Sequence, residues 1–143
     1  MIKTQKHVSE DNSLPHFILR EYDALTMFKD QQGFSKLKAV YYDTKSCEQK
    51  QYPIKFVFEF YKHGDLFKYM KAHAPLTNSQ VLDFMEQLLS ALKTMHDHAY
   101  IHRDLKPANL LVGEQNGSPK LVIADLGLSR QINCPPDNMT KQI

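Results

Sequence analysis

Ile101-His102-Arg103-Asp104-Leu105-Lys106-Pro107-Ala108-Asn109 is the stretch that decides how this chain is read, and Asp125-Leu126-Gly127 follows it downstream. Asp104 offers a carboxylate that can take a proton, and Lys106 offers a cation for a phosphate. Asn109 and Asp125 offer hard oxygens suited to magnesium, an ion that keeps several waters and takes few protein ligands. A base, a cation and two such ligands, in that order, are the equipment of phosphoryl transfer. That reaction asks for an in-line nucleophile and for cations that offset charge on the moving group, with little covalent help from the protein.

Working outward, the bulk numbers narrow the class. The 143 residues are 42% hydrophobic and 24% charged, which is the balance of an ordinary globular domain and not of a disordered chain. A net charge of +2 is too mild to argue for nucleic acid or an acidic membrane surface, so neither is expected as a partner. No apolar run approaches the roughly 20 residues needed to span a bilayer, and the start lacks the apolar core of a signal peptide. Cys47 and Cys134 stand far apart and read as reduced thiols.

The pattern along the chain mixes short strands with helices. Apolar residues at Ile18, Leu19, Tyr22, Leu25, Met27 and Phe28 predict an amphipathic helix from Pro15 to about Phe28. Leu37 to Tyr42 and Ile54 to Phe60 read as strands, the second nearly all apolar, as a strand covered on both faces would be. His63-Gly64-Asp65 breaks the pattern before a short helix from Leu66 to Lys71. A longer helix follows to His98, opened by a Thr77/Gln80 capping box, with Val81, Phe84, Met85, Leu88, Leu89, Leu92 and Met95 expected on one face. Gly113 to Pro119 reads as a turn between the strands Leu110 to Val112 and Lys120 to Ala124.

The run from Ile101 to Asn109 resembles the catalytic loop of the protein kinases, and Asp125-Leu126-Gly127 resembles their D-F-G motif, with Leu in place of Phe. The resemblance implies that Asp104 is the base, that Lys106 supports the phosphate and that Asn109 and Asp125 hold Mg2+. A lysine at the position of Lys106 marks serine/threonine specificity in that family. Met1-Ile2-Lys3 resembles the end of the V-A-I-K strand, which implies that Lys3 holds the phosphates of ATP and pairs with Glu21 on the first helix. No Gly-x-Gly-x-x-Gly and no Ala-Pro-Glu occur in the chain. The expectation is therefore an incomplete α+β, bilobal kinase fold: residues 1–60 the remainder of the N-lobe, a hinge near Glu59 to Gly64, and residues 61–143 the start of the helical lobe through the activation segment. Residues 1–143 alone are expected to lack measurable transfer.

Three further segments are similar to cyclin-dependent kinases: Pro15-His16-Phe17-Ile18-Leu19-Arg20-Glu21 to their P-S-T-A-I-R-E helix, Phe56 to Phe60 to their hinge strand, and Ala124 to Arg130 to their A-D-F-G-L-A-R. The likeness implies Phe58 as gatekeeper, the backbone of Glu59 and Tyr61 as adenine contacts, and Leu111 beneath the purine. It also implies Thr140 as an activating phosphorylation site whose phosphate would meet Arg20, Arg103 and Arg130, since arginines bind phosphate bidentately. Protein substrates with serine or threonine, a cyclin-like activator on the first helix, and a cytoplasmic or nuclear location follow as expectations. The alternative is a non-catalytic module that occupies a cyclin or other partner through the same helix. His98 and His102 are spaced as metal ligands could be, but His102 belongs to the loop motif and His96 and His98 end a helix, where cations suit the dipole.

Overall fold

A computed structural model of the chain describes residues 2–5, 16–42 and 54–132. Its first layer is a three-stranded antiparallel sheet of β1 (Ile2–Gln5), β2 (Leu37–Tyr42) and β3 (Ile54–Phe58), in the order β1-β3-β2. The central strand, β3, buries Ile54, Phe56 and Phe58, while Lys55 between them is exposed. It ends at Phe58 and not at Phe60: Glu59 turns away to donate its N–H to Lys36 O (2.9 Å), and Phe60 is exposed.

The first helix, α1 (His16–Met27), buries Ile18, Glu21, Ala24 and Leu25. Phe28, just beyond its end, stacks on Phe34 with ring centroids 4.4 Å apart. This stripe follows the helical period, and it places a carboxylate inside while Leu19, Tyr22 and Met27 stay exposed. Pro15, the expected start of the helix, lies outside the described residues.

Two helices follow. In α2 (Leu66–His73), Asp65 caps the start by accepting the Lys68 N–H (2.8 Å), which holds its carboxyl below the usual range. In α3 (Asn78–Asp97) the expected capping box is present: Thr77 accepts from Gln80 N–H, and the Gln80 side chain accepts from Thr77 N–H. The buried stripe of α3 differs from the expected one. Phe84, Ala91 and Met95 are buried, whereas Val81, Met85 and Leu89 are exposed, as is Leu82. At about 100° per residue, the face through Phe84, Ala91 and Met95 turns Met85 and Leu89 outward.

The remaining strands make two small ribbons, β4 (Tyr100–Ile101) with β7 (Arg130–Gln131), and β5 (Leu110–Gln115) with β6 (Ser118–Ile123). The expected turn from Gly113 to Pro119 is tighter than its composition suggests. Pairing runs out to Gln115 and Ser118, leaving Asn116 (φ 52°) and Gly117 (φ 78°) as a two-residue hairpin turn. Asn-Gly takes two successive positive φ angles at little cost, and their twist matches the flanking strands. The fold also demands glycine at Gly33 (φ 83°), because a Cβ there would sit 2.6 Å from the Ala91 Cβ of α3.

Candidate functional site

The site is organised around the end of β6. Ile123 accepts the Ser35 N–H and donates its own N–H to Gly33 O, both at 2.8 Å. Ala124 donates to Asn109 O (2.9 Å), and its carbonyl accepts from His102 Nε2 (3.0 Å). That bond puts the His102 proton on Nε2 and leaves Nδ1 to accept the Asp104 N–H (3.3 Å). Buried His102 thus ties the Asp104 loop to the strand that presents Asp125. The sequence offered His102 only as a motif member; two bonds on opposite ring nitrogens are visible only in three dimensions.

The first polar cluster is local. Lys106 Nζ lies 2.7 Å from Asp104 Oδ2, and Asn109 Nδ2 donates to the same oxygen (2.9 Å) and to the Asp104 carbonyl (2.8 Å). The Lys106 hydrogen bond, joined by the Asn109 bond and the lysine charge, outweighs partial desolvation and holds the Asp104 carboxyl below the usual carboxylate range. Both donors fall on Oδ2, so among the described residues Oδ1 is left without a partner. The same geometry fixes the Asn109 amide with its nitrogen toward Asp104 and its Oδ1 turned away. Asn109 itself is buried.

The second cluster joins three distant segments. Lys3 Nζ lies 2.7 Å from Glu21 Oε1 and 2.6 Å from Asp125 Oδ1. Glu21 is buried to 1% exposure on α1, and Asp125 is exposed after β6. Burial acts to lower the Lys3 pKa, but hydrogen bonds to Asp125 and Glu21 and their charges outweigh it, so the ammonium is held above its usual range. Asp125 sits in the left-handed region (φ 55°, ψ 67°), as does Arg103 (φ 67°) just before Asp104. Each such residue costs about 1–2 kcal/mol, so the fold holds both acidic positions on strained neighbours or strained backbone. Gly127 leaves room here: a Cβ would stand 3.4 Å from both Asp125 Oδ1 and Glu21 Oε2. Leu126, buried to 1%, plugs the core beneath.

The other expected residues are placed as follows. Phe58 is buried at the end of β3. Glu59 and Tyr61 follow it in an open segment, and His63 N–H donates to Val112 O (3.1 Å). Leu111 is buried with Val122 and Ala124, and Tyr61 packs against them. Arg103 Nε donates to Leu128 O (2.7 Å), and pairing of Ile101 with Arg130 brings β4 and β7 together near it. Arg20 is exposed on α1. Thr140 lies outside the described residues. A cleft of about 400 Å³ beside Lys36, Glu59, Tyr61 and Gly113 includes none of Lys3, Asp104, Asn109 or Asp125.

Comparison with known proteins places these features in context. The model of the protein kinase domain matches residues 1–143. The chain is 32% identical over 147 residues to cell division control protein 2 homolog C of Antirrhinum majus, covering 99% of this chain and 47% of that protein. It is 35% identical over 131 residues to cyclin-dependent kinase 20 of Danio rerio (90% and 35%). It is 37% identical over 92 residues to the serine/threonine-protein kinase atg1 of Dictyostelium discoideum (64% and 14%). The chain spans about half the length of the first of these relatives and less of the others.

Proposed function

This chain belongs to the protein kinase family, and from that premise we propose that it serves an ATP- and magnesium-dependent serine/threonine kinase of the cyclin-dependent type. The observation that carries the reading is the division of labour on Asp104. Lys106 and Asn109 occupy Oδ2, and among the described residues Oδ1 is left open to accept a proton. In transfer, a serine or threonine hydroxyl gives its proton to Asp104 Oδ1. Its oxygen forms the new bond to the γ-phosphorus as the bond to the departing ADP oxygen breaks. A carboxyl held below its usual pKa is ionised at neutral pH and so stands ready for this role.

The donor set fits magnesium. Asn109 Oδ1 is turned away from Asp104 by the amide's own hydrogen bonds, and only Oδ1 of the Asp125 carboxylate is engaged by Lys3. One amide and one carboxylate oxygen are the sparse hard-oxygen set that this ion takes. When bound, magnesium offsets charge on the phosphates. Lys3, oriented by Glu21, reaches the same phosphates, while the backbone of Glu59 and Tyr61 receives adenine between Leu111 and the sheet. Arg103 and Arg130 support Thr140 as the regulatory phosphorylation site.

A partner surface on α1 is favoured by a specific observation. Leu19 and Tyr22 are 39% and 42% exposed on α1, outside the face that buries Glu21. A cyclin-like protein pressing on this exposed surface would hold Glu21 against Lys3, and the non-catalytic reading would use the same surface. In the full-length protein, incubation with γ-labelled ATP, magnesium and a basic serine-containing protein separates the two readings. Label on serine or threonine that disappears in Asp104→Asn supports the kinase. Partner binding lost in Tyr22→Asp, with no transfer in any variant, supports the binding module.

A further inference from the structure

The hinge is tied to the Asp125 strand by a strut, residues 33–36, which runs between them. On one side Gly33 O and Ser35 N–H bond Ile123, the second residue before Asp125. On the other, Lys36 O accepts the Glu59 N–H (2.9 Å), and Lys36 N–H donates to the phenol oxygen of Tyr61 (3.0 Å). Both backbone groups of Lys36 are therefore held by the hinge. The Tyr61 ring is fixed from its other edge by Gly113, where a Cβ would come within 3.2 Å of Cδ1. The strut is anchored a third time at Gly33, pressed against Ala91 of α3. Burial raises the Tyr61 phenol pKa, against the opposing Lys36 bond, so the oxygen stays protonated and neutral at neutral pH.

We propose that the Tyr61 side chain is a positioning residue that, through the 33–36 strut, sets the separation between the adenine-receiving hinge backbone and the phosphate-side carboxylate of Asp125. The inference rests on the nucleotide reading above. A backbone path already runs from Glu59 through Lys36, Ser35, Ile123 and Ala124 to Asp125, and the phenol adds a second tie to it at Lys36. Every other link is a backbone hydrogen bond or a run of peptide bonds, so the phenol is the tie that a side-chain substitution removes. Neither end of the path requires Tyr61 by itself. Adenine would meet its backbone, and the phosphates would meet Lys3 and Asp125. What the phenol supplies is the register between the two ends, and only a ligand that spans both senses register.

The test is calorimetric titration of wild type and Tyr61→Phe with three probes: MgATP, adenosine, and magnesium tripolyphosphate, alongside the thermal midpoint. Loss of one part-buried hydrogen bond is worth about fivefold in an equilibrium constant, which bounds the change. The expected result is that MgATP weakens by up to about that factor in Tyr61→Phe, while each half-ligand binds as before and the midpoint falls only slightly. Gly113→Ala, which displaces the ring without touching the phenol, should weaken MgATP in the same selective way. Equal MgATP affinity in wild type and Tyr61→Phe would overturn the strut while leaving the nucleotide reading intact. Parallel weakening of all three probes with a lower midpoint would reduce Tyr61 to a structural role and also overturn it. No MgATP binding by the wild type would overturn the nucleotide reading, and the strut with it.

Discussion

The two polar clusters of this molecule are built in opposite ways. Asp104, Lys106 and Asn109 meet within one turn of chain, and their carboxylate is partly open to solvent. Lys3, Glu21 and Asp125 come from a strand, a helix and a loop, and the carboxylate of Glu21 is sealed in the core. The local cluster costs the fold little and can be tuned for chemistry. The distant one binds separate parts of the structure together, so its chemistry and its stability are one property. Disturbing each should therefore have different consequences.

The largest expected effect breaks the local cluster. Asp104→Asn should lower phosphoryl transfer by the roughly 10²–10⁴-fold expected for loss of a general base, with only a small fall in the thermal midpoint, in labelled-ATP assays of the full-length protein. A large fall in the midpoint would mean that this cluster, too, is chiefly structural.

Next comes the distant cluster. Lys3→Met removes a charged partner of a buried carboxylate, and urea denaturation should show a loss of about 2 kcal/mol, less than for a sealed pair because Lys3 is partly exposed. Adding Glu21→Leu should recover most of that loss, since an apolar pair of similar volume needs no compensation. If the double variant is no more stable than Lys3→Met, the cost lies elsewhere than the buried charge.

The pH dependence of stability should separate the clusters. The Asp104 pKa is lowered, so its contribution is fully present above the ordinary value of 3.8 and fades as pH falls through the lower folded value. The Lys3 pKa is raised, so its contribution is present below the ordinary 10.5 and is lost as pH climbs through the higher folded value. Denaturation across pH should thus show Lys106→Met changing only the acid limb and Lys3→Met changing the alkaline one. Both variants altering the same limb would contradict the division.

The smallest effect concerns the strut. Among the described residues Ser35 Oγ is buried without a hydrogen-bond partner, so Ser35→Ala should be neutral or slightly stabilising by thermal denaturation. A clear loss of stability would mean that the hydroxyl has a partner after all.

The same contrast explains what could be read from the chain. Asp104, Lys106 and Asn109 were legible because a local cluster is a spacing, and spacing is written in sequence. The Thr77/Gln80 cap and the strands β2 and β3 were legible for the same reason. The stripe of α1 was misjudged in part, because the buried face includes Glu21, and an apolar pattern gives such a residue to the surface. On α3 the apolar residues outnumber those that the described core covers, so periodicity could not say which would be buried. The hairpin at Asn116-Gly117 was read too loosely, since Gly113 and Pro119, usual marks of a turn, both pair within the ribbon. Tyr61 entered the reading only for its backbone. The bond from its phenol to Lys36 joins residues far apart in sequence and leaves no pattern.

The central claim is that both clusters and the hinge form one nucleotide site. Amide NMR shifts during titration with MgATP test it directly. The account predicts that Lys3, Glu59, Tyr61, Asn109 and Asp125 shift together along one saturating curve, and that Lys3→Met weakens that curve as a whole. Shifts confined to one cluster, or saturating at different ligand concentrations for the hinge and for Asp125, would contradict it.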